Sequence, residues 1–199
     1  MYSCIIIFFL IGILVYLFYE KYFTIIESYE CRLPKFNPEK WNRTNNKIQE
    51  FNNCYSYAMG DLKINRKTKQ QPGALCNSMN PLKKKNYNCK GLIERVQCDY
   101  PDTIFLNKNQ ECPCDYYKVA LFLDKTGKKK DYHFYKENKE GFWSHKPGKT
   151  KVSNLDASGK VITNPIFANR KYKKYNYNEN CGIICKKFVE YAYIKNNNK

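Results

Sequence analysis

Three residues carry the types and spacing that could do chemistry. Cys54 lies in Asn52-Asn53-Cys54-Tyr55-Ser56-Tyr57-Ala58-Met59-Gly60-Asp61. The only two histidines in 199 residues are His133, in Asp131-Tyr132-His133-Phe134-Tyr135, and His145, in Trp143-Ser144-His145-Lys146-Pro147-Gly148. A thiol becomes a nucleophile as the thiolate, when a base takes its proton and a further group holds that base in the right tautomer. The expected catalytic set is therefore Cys54, His133 and His145. His133 would act as base toward the thiol and then as acid toward the leaving group. His145, or failing it Asn154 or Asp156, would orient the imidazole. Backbone amides at a helix start, with Gln49 or Asn53 as side-chain donors, would stabilise an oxyanion. The competing reading makes Cys54 a small buried hydrophobe or half of a disulfide, and each histidine a surface or satisfied core residue.

The elements that must position these groups follow from periodicity. Lys47 to Leu62 alternates polar and apolar residues at nearly helical spacing, and Asn52 and Asn53 are good N-cap residues. A short helix is expected to open at Cys54 and end near Gly60. Residues 63–115, rich in Lys, Asn, Pro and Cys, read as irregular, with a turn at Gln71-Pro72-Gly73 and a short element around Leu92–Val96. Tyr117–Asp124, Asp131–Lys136 and Phe142–Lys146 read as a three-stranded antiparallel meander, turned at Lys125–Lys128 and Asn138–Gly141. A turn centred near Lys139 would bring the two histidines side by side across neighbouring strands. Asp156–Gly159 is another turn, between short β-prone pieces, and Cys185–Ile194 is expected to be a final helix.

At 199 residues, the chain is long enough for one domain with a sizeable core. Residues 1–19 are uncharged and Ile5–Phe18 is almost wholly apolar, so residues 1–22 are expected to be a single N-terminal transmembrane anchor, the alternative being a signal peptide. Residues 23–45 would form a juxtamembrane segment, 46–195 one cysteine-rich domain, and 196–199 a disordered tail. The expected localisation is a single-pass membrane protein whose main domain faces an extracytoplasmic, lumenal or virion-surface side. Asn42-Arg43-Thr44 is a glycosylation sequon, usable on such a side. The formal charge is +17, but only five of the 35 basic residues are arginine. Base-edge reading prefers arginine, so sequence-specific nucleic-acid binding is not expected. Dispersed lysine suits loose attraction to an acidic polymer.

Ten cysteines complete the inventory. Cys4 lies in the apolar leader. With Cys54 set aside, Cys31, Cys76, Cys89, Cys98, Cys112, Cys114, Cys181 and Cys185 form an even set, expected as disulfides in an oxidising compartment. Zinc, through Cys112-Pro-Cys114 and Cys181-x3-Cys185, is the weaker alternative, since neither spacing matches a ribbon or finger. No metal or other cofactor is expected.

A helix-borne cysteine followed by a meander with histidine on its second strand and another polar residue on its third resembles the papain-like fold, and within it the NlpC-type peptidases and amidases. The strings Asn53–Ala58, Gln71–Gly73, Asp131–Tyr135 and Trp143–Gly148 also resemble a group of bacterial and large-DNA-virus proteins. The resemblance implies an α+β, papain-like domain with a Cys-bearing helix and an antiparallel β-meander, preceded by the transmembrane helix. It implies a membrane-anchored thiol hydrolase cleaving an amide bond in a peptide or peptidoglycan-like substrate. The alternative is a non-enzymatic, disulfide-stapled membrane surface or virion protein that serves as an interaction module.

Overall fold

The computed structural model describes residues 2–28, 31–64, 67–84, 87–106, 110–125 and 130–189. The chain divides into two compact units, Met1–Cys31 and Arg32–Lys199. The first holds one helix, α1 (Tyr2–Ser28). The anchor expectation is corrected here: among the described residues no helix is long and apolar enough to cross a membrane. The transmembrane span expected of a single-pass protein is thus not found among the described residues.

The second unit is α+β. Its helices are α2 (Pro38–Trp41), α3 (Ile48–Phe51), α4 (Cys54–Ala58) and α5 (Cys89–Asp99). Its strands are β1 (Ile104–Phe105), β2 (Tyr116–Asp124), β3 (Asp131–Glu137), β4 (Trp143–His145) and β5 (Glu179–Lys187). All pair antiparallel in one sheet, in the order β1-β5-β2-β3-β4. The expected meander is β2-β3-β4; the turn residues 126–129 lie outside the described ones.

Strand β2 is covered on both faces, and the period of two sorts its side chains. Tyr117, Val119, Leu121 and Leu123 meet Cys54, Tyr55, Ala58 and Met59 of the α4 region and Leu92 and Val96 of α5. Ala120 and Phe122 point the other way, to Tyr135, Trp143, Ile162 and Tyr177. Helices thus cover one face. An irregular layer, drawn from the connection between β4 and β5, covers the other.

The expected final helix at Cys185–Ile194 is corrected. Its first residues belong to β5, which lies between β1 and β2, and residues 190–194 lie outside the described ones. The β-branched pair Ile183 and Ile184 favours a strand. Gly182, at φ +114, lies where the register against β2 shifts between Leu121 and Phe122. Sequence separation also hid β1, whose two residues pair only with β5.

Disulfides join the layers: Cys76–Cys98, Cys89–Cys181 and Cys112–Cys185. Cys31 and Cys114 are disulfide-bonded as well. All eight cysteines of the even set are thereby oxidised, which removes the zinc alternative, and Cys54 is free. Loop-closure entropy ranks the bridges. Cys89–Cys181 closes 92 residues and Cys76–Cys98 only 22. Replacing both cysteines of the former by alanine should cost about 4–5 kcal/mol, and of the latter about 3 kcal/mol. Urea midpoints of the two double variants check that order.

Candidate functional site

Helix α4 begins at Cys54 because Asn53 caps it. The Asn53 backbone is extended, and its Oδ1 accepts from the Ser56 backbone N–H at 3.1 Å. Its Nδ2 donates to the Gln70 carbonyl at 2.7 Å. Gln49 of α3 donates through Nε2 to the Lys149 carbonyl at 3.2 Å. Both expected oxyanion donors are therefore engaged in holding the local backbone.

Strand β3 sends Tyr132 and Phe134 toward α4, where they pack with Cys54, and sends His133 and Tyr135 toward the irregular layer. The Cys54 thiol is buried, and its hydrogen bond runs to the Tyr132 carbonyl at 4.0 Å, not to an imidazole. Burial pushes the thiol up to about 12, with Asp131 adding to the shift and the backbone N–H groups of Phe134 and Tyr55 opposing it. Five-residue α4 brings too little dipole to reverse this. Near neutral pH the sulfur is a thiol.

The two histidines are brought together. His133 Nε2 lies 2.7 Å from His145 Nδ1, and His145 Nε2 lies 2.9 Å from the Leu155 carbonyl. A carbonyl only accepts, so His145 carries its proton on Nε2; neutral His145 then accepts at Nδ1, and His133 donates from Nε2. Both rings are buried among tyrosines: His133 stacks on Tyr177 at 5.0 Å, and His145 on Tyr135 at 5.0 Å. Burial drives both imidazoles toward the neutral form. His133 falls well below its usual value, with His145 contributing, and His145 falls to about 4 despite its bond to Leu155. The pair is a dry, neutral relay that ties β3 and β4 to residue 155.

The other candidates have structural positions. Asn154 contributes its backbone carbonyl to the Ile162 N–H at 2.9 Å. The Asp156 carboxylate accepts from the backbone N–H groups of Ser158, Lys160 and Asn169. Neither is the partner of the His145 Nε2. Asn42 of the sequon accepts through Oδ1 from the Val152 N–H at 2.8 Å. Three lysines are buried among the described residues, Lys136, Lys146 and Lys186, and the first two lie near α3 and α4. Lys146 donates from Nζ to the carbonyls of Gln49 at 2.6 Å and Gly148 at 2.8 Å. Lys136 places Nζ 4.2 Å from the Tyr57 ring centroid and 6.0 Å from that of Trp41. Burial lowers Lys146 to about 8 and Lys136 to about 7. The alternation Tyr132, Phe134, Lys136 was the available signal, since it puts the lysine on the inward-facing register.

Over 136 residues the chain is 32% identical to Insoluble matrix shell protein 1 of Ruditapes philippinarum, an alignment that covers 68% of this chain and 81% of that protein. No family model and no solved structure matches the chain. The expectation of a thiol hydrolase is overturned. Its similarity is to a shell matrix protein, the thiol is buried and protonated, and the oxyanion donors are occupied.

Two outcomes follow from this geometry. A neutral thiol-specific reagent at pH 8 should leave Cys54 unmodified in the folded protein and label it fully in urea. The imidazole pair should make the fold acid-sensitive. An unfolded histidine binds a proton below about 6.5, but the folded pair resists it, so stability falls as pH drops from about 6.5 to about 4. His145 alone accounts for about 3 kcal/mol over that window. Urea midpoints measured across it should flatten in His145→Gln.

Proposed function

The chain belongs to the family of Insoluble matrix shell protein 1, and on that premise we propose that it is a non-enzymatic, disulfide-stapled structural protein of an insoluble extracellular matrix. The observation that carries this reading is the extent of the match, which takes in 81% of the shell protein. The half-cystines support it, because disulfides persist in oxidising, extracellular surroundings and are rare in a reducing cytosol. The histidine pair supports it as well. Its hydrogen bonds run between strands and to a main-chain carbonyl, an architectural use of a polar network inside an aromatic layer.

In the cells that make it, the protein should be recovered from the extracellular insoluble fraction, resistant to salt and released by denaturant with a reductant. Recovery in a reduced cytosolic extract would overturn the proposal. Cys54→Ala should cost about 1–2 kcal/mol of stability through the lost buried sulfur and change nothing else. Hydrolysis of a peptide or peptidoglycan fragment by the folded chain, lost in Cys54→Ala, would also overturn it.

A further inference from the structure

We propose that residues 151–174 form a preordered docking face for an acidic, partly apolar polypeptide. This goes beyond the matrix reading, and rests on it only for where the partner is met. The connection from β4 to β5 contains no helix and no strand beyond isolated bridges. Connections of that length without regular structure are uncommon and are usually functional or mobile. This one is pinned. The Asp156 carboxylate gathers the N–H groups of Ser158, Lys160 and Asn169. Arg170 lies 4.1 Å from the Phe122 ring centroid, and its guanidinium donates to the carbonyls of Pro165, Ile166, Ala168 and Tyr177. Those two side chains spend their charge on the loop's own backbone.

The lysines left over face water. Lys151, Lys160, Lys171, Lys173 and Lys174 are exposed, and none has a carboxylate partner among the described residues. Some lysines elsewhere do find one: Lys63 pairs with Asp61, Lys125 with Glu179 and Lys149 with Glu50. Asp156 is the only acidic residue between β4 and β5.

Apolar side chains lie in the same segment. Phe167 is 86% exposed and Val161 51%. Leu155 and Val161 form an antiparallel bridge, which puts both on one side of it, and both are exposed. A cluster of exposed cations attracts an anionic partner, and exposed aliphatic and aromatic groups favour one with apolar side chains over a purely ionic polymer. A second copy of this chain, also at +17, would be repelled.

The test is binding of the full chain to a random copolymer of glutamate and tyrosine, with poly-glutamate and a sulfated polysaccharide as comparison probes. Affinity for the copolymer should be highest of the three and should fall with salt. The triple variant Lys160→Glu, Lys171→Glu, Lys173→Glu should weaken it by about tenfold or more, while Lys83→Glu, Lys84→Glu, Lys90→Glu should leave it nearly unchanged. The corresponding glutamine triples keep the comparison readable if charge reversal disturbs the Asp156 latch. Phe167→Ser should weaken copolymer binding and spare poly-glutamate. Equal losses from the two lysine sets, tighter binding of the polysaccharide, or no effect of Phe167→Ser would each overturn the proposal. These readouts are independent of where the protein fractionates in cells.

Discussion

Strand β2 has no face left for water, and the rest of the second unit answers that constraint. A strand with large side chains on both sides needs two covers, and helices α4 and α5 supply only one. The second cover is a long irregular segment in which Ile162 and Tyr177 reach Phe122 and Tyr135. Irregular backbone satisfies only part of its own hydrogen bonding, and side chains supply more. Asp156 collects N–H groups, Arg170 collects carbonyls, and Lys146 holds two more carbonyls. The roles of Asp156 and Arg170 stem from building a core layer without helix or sheet.

The same layer decides what the histidines can be. Surrounded by Tyr135, Tyr172 and Tyr177, they give up charge and bond to each other. A neutral imidazole pair costs little to bury when each donor has an acceptor, whereas an imidazolium in that place would be costly. On the other side of β3, Cys54 meets the same physics and stays protonated against Tyr132 and Phe134. Stability and reactivity draw on opposite environments, and here the dry one prevails.

Several of these features were legible in the sequence. Asn53 as a cap, the β2-β3-β4 meander, the even set of cysteines with Cys54 left over, and the closeness of His133 to His145 all follow from local patterns. What spacing does not carry is burial. The tyrosines that dry the histidine pair come from positions 172–177, far along the chain, and no local pattern announces that they fold back over β3. The hydrolase expectation failed at that point. Proximity of residue types was readable, but the dielectric around them was not. Strand β5 was missed for a related reason. Its pairing partners β1 and β2 lie some sixty or more residues earlier, so no local pattern marked Cys185–Lys187 as strand rather than the start of a helix.

The place of β5 in the sheet also has a bearing on how the molecule is made. This late segment is inserted between two earlier strands, so β1 and β2 can only be joined once it arrives. It brings Cys181 and Cys185, the partners of Cys89 and Cys112. During synthesis both of those thiols wait unpaired, alongside a third, Cys54, that must never find a partner. Such non-local closure is slow and exposes sheet edges in the interval. Burial of Cys54 in the α4–β3 core is what keeps it out of reach of the two sulfurs that the last strand delivers.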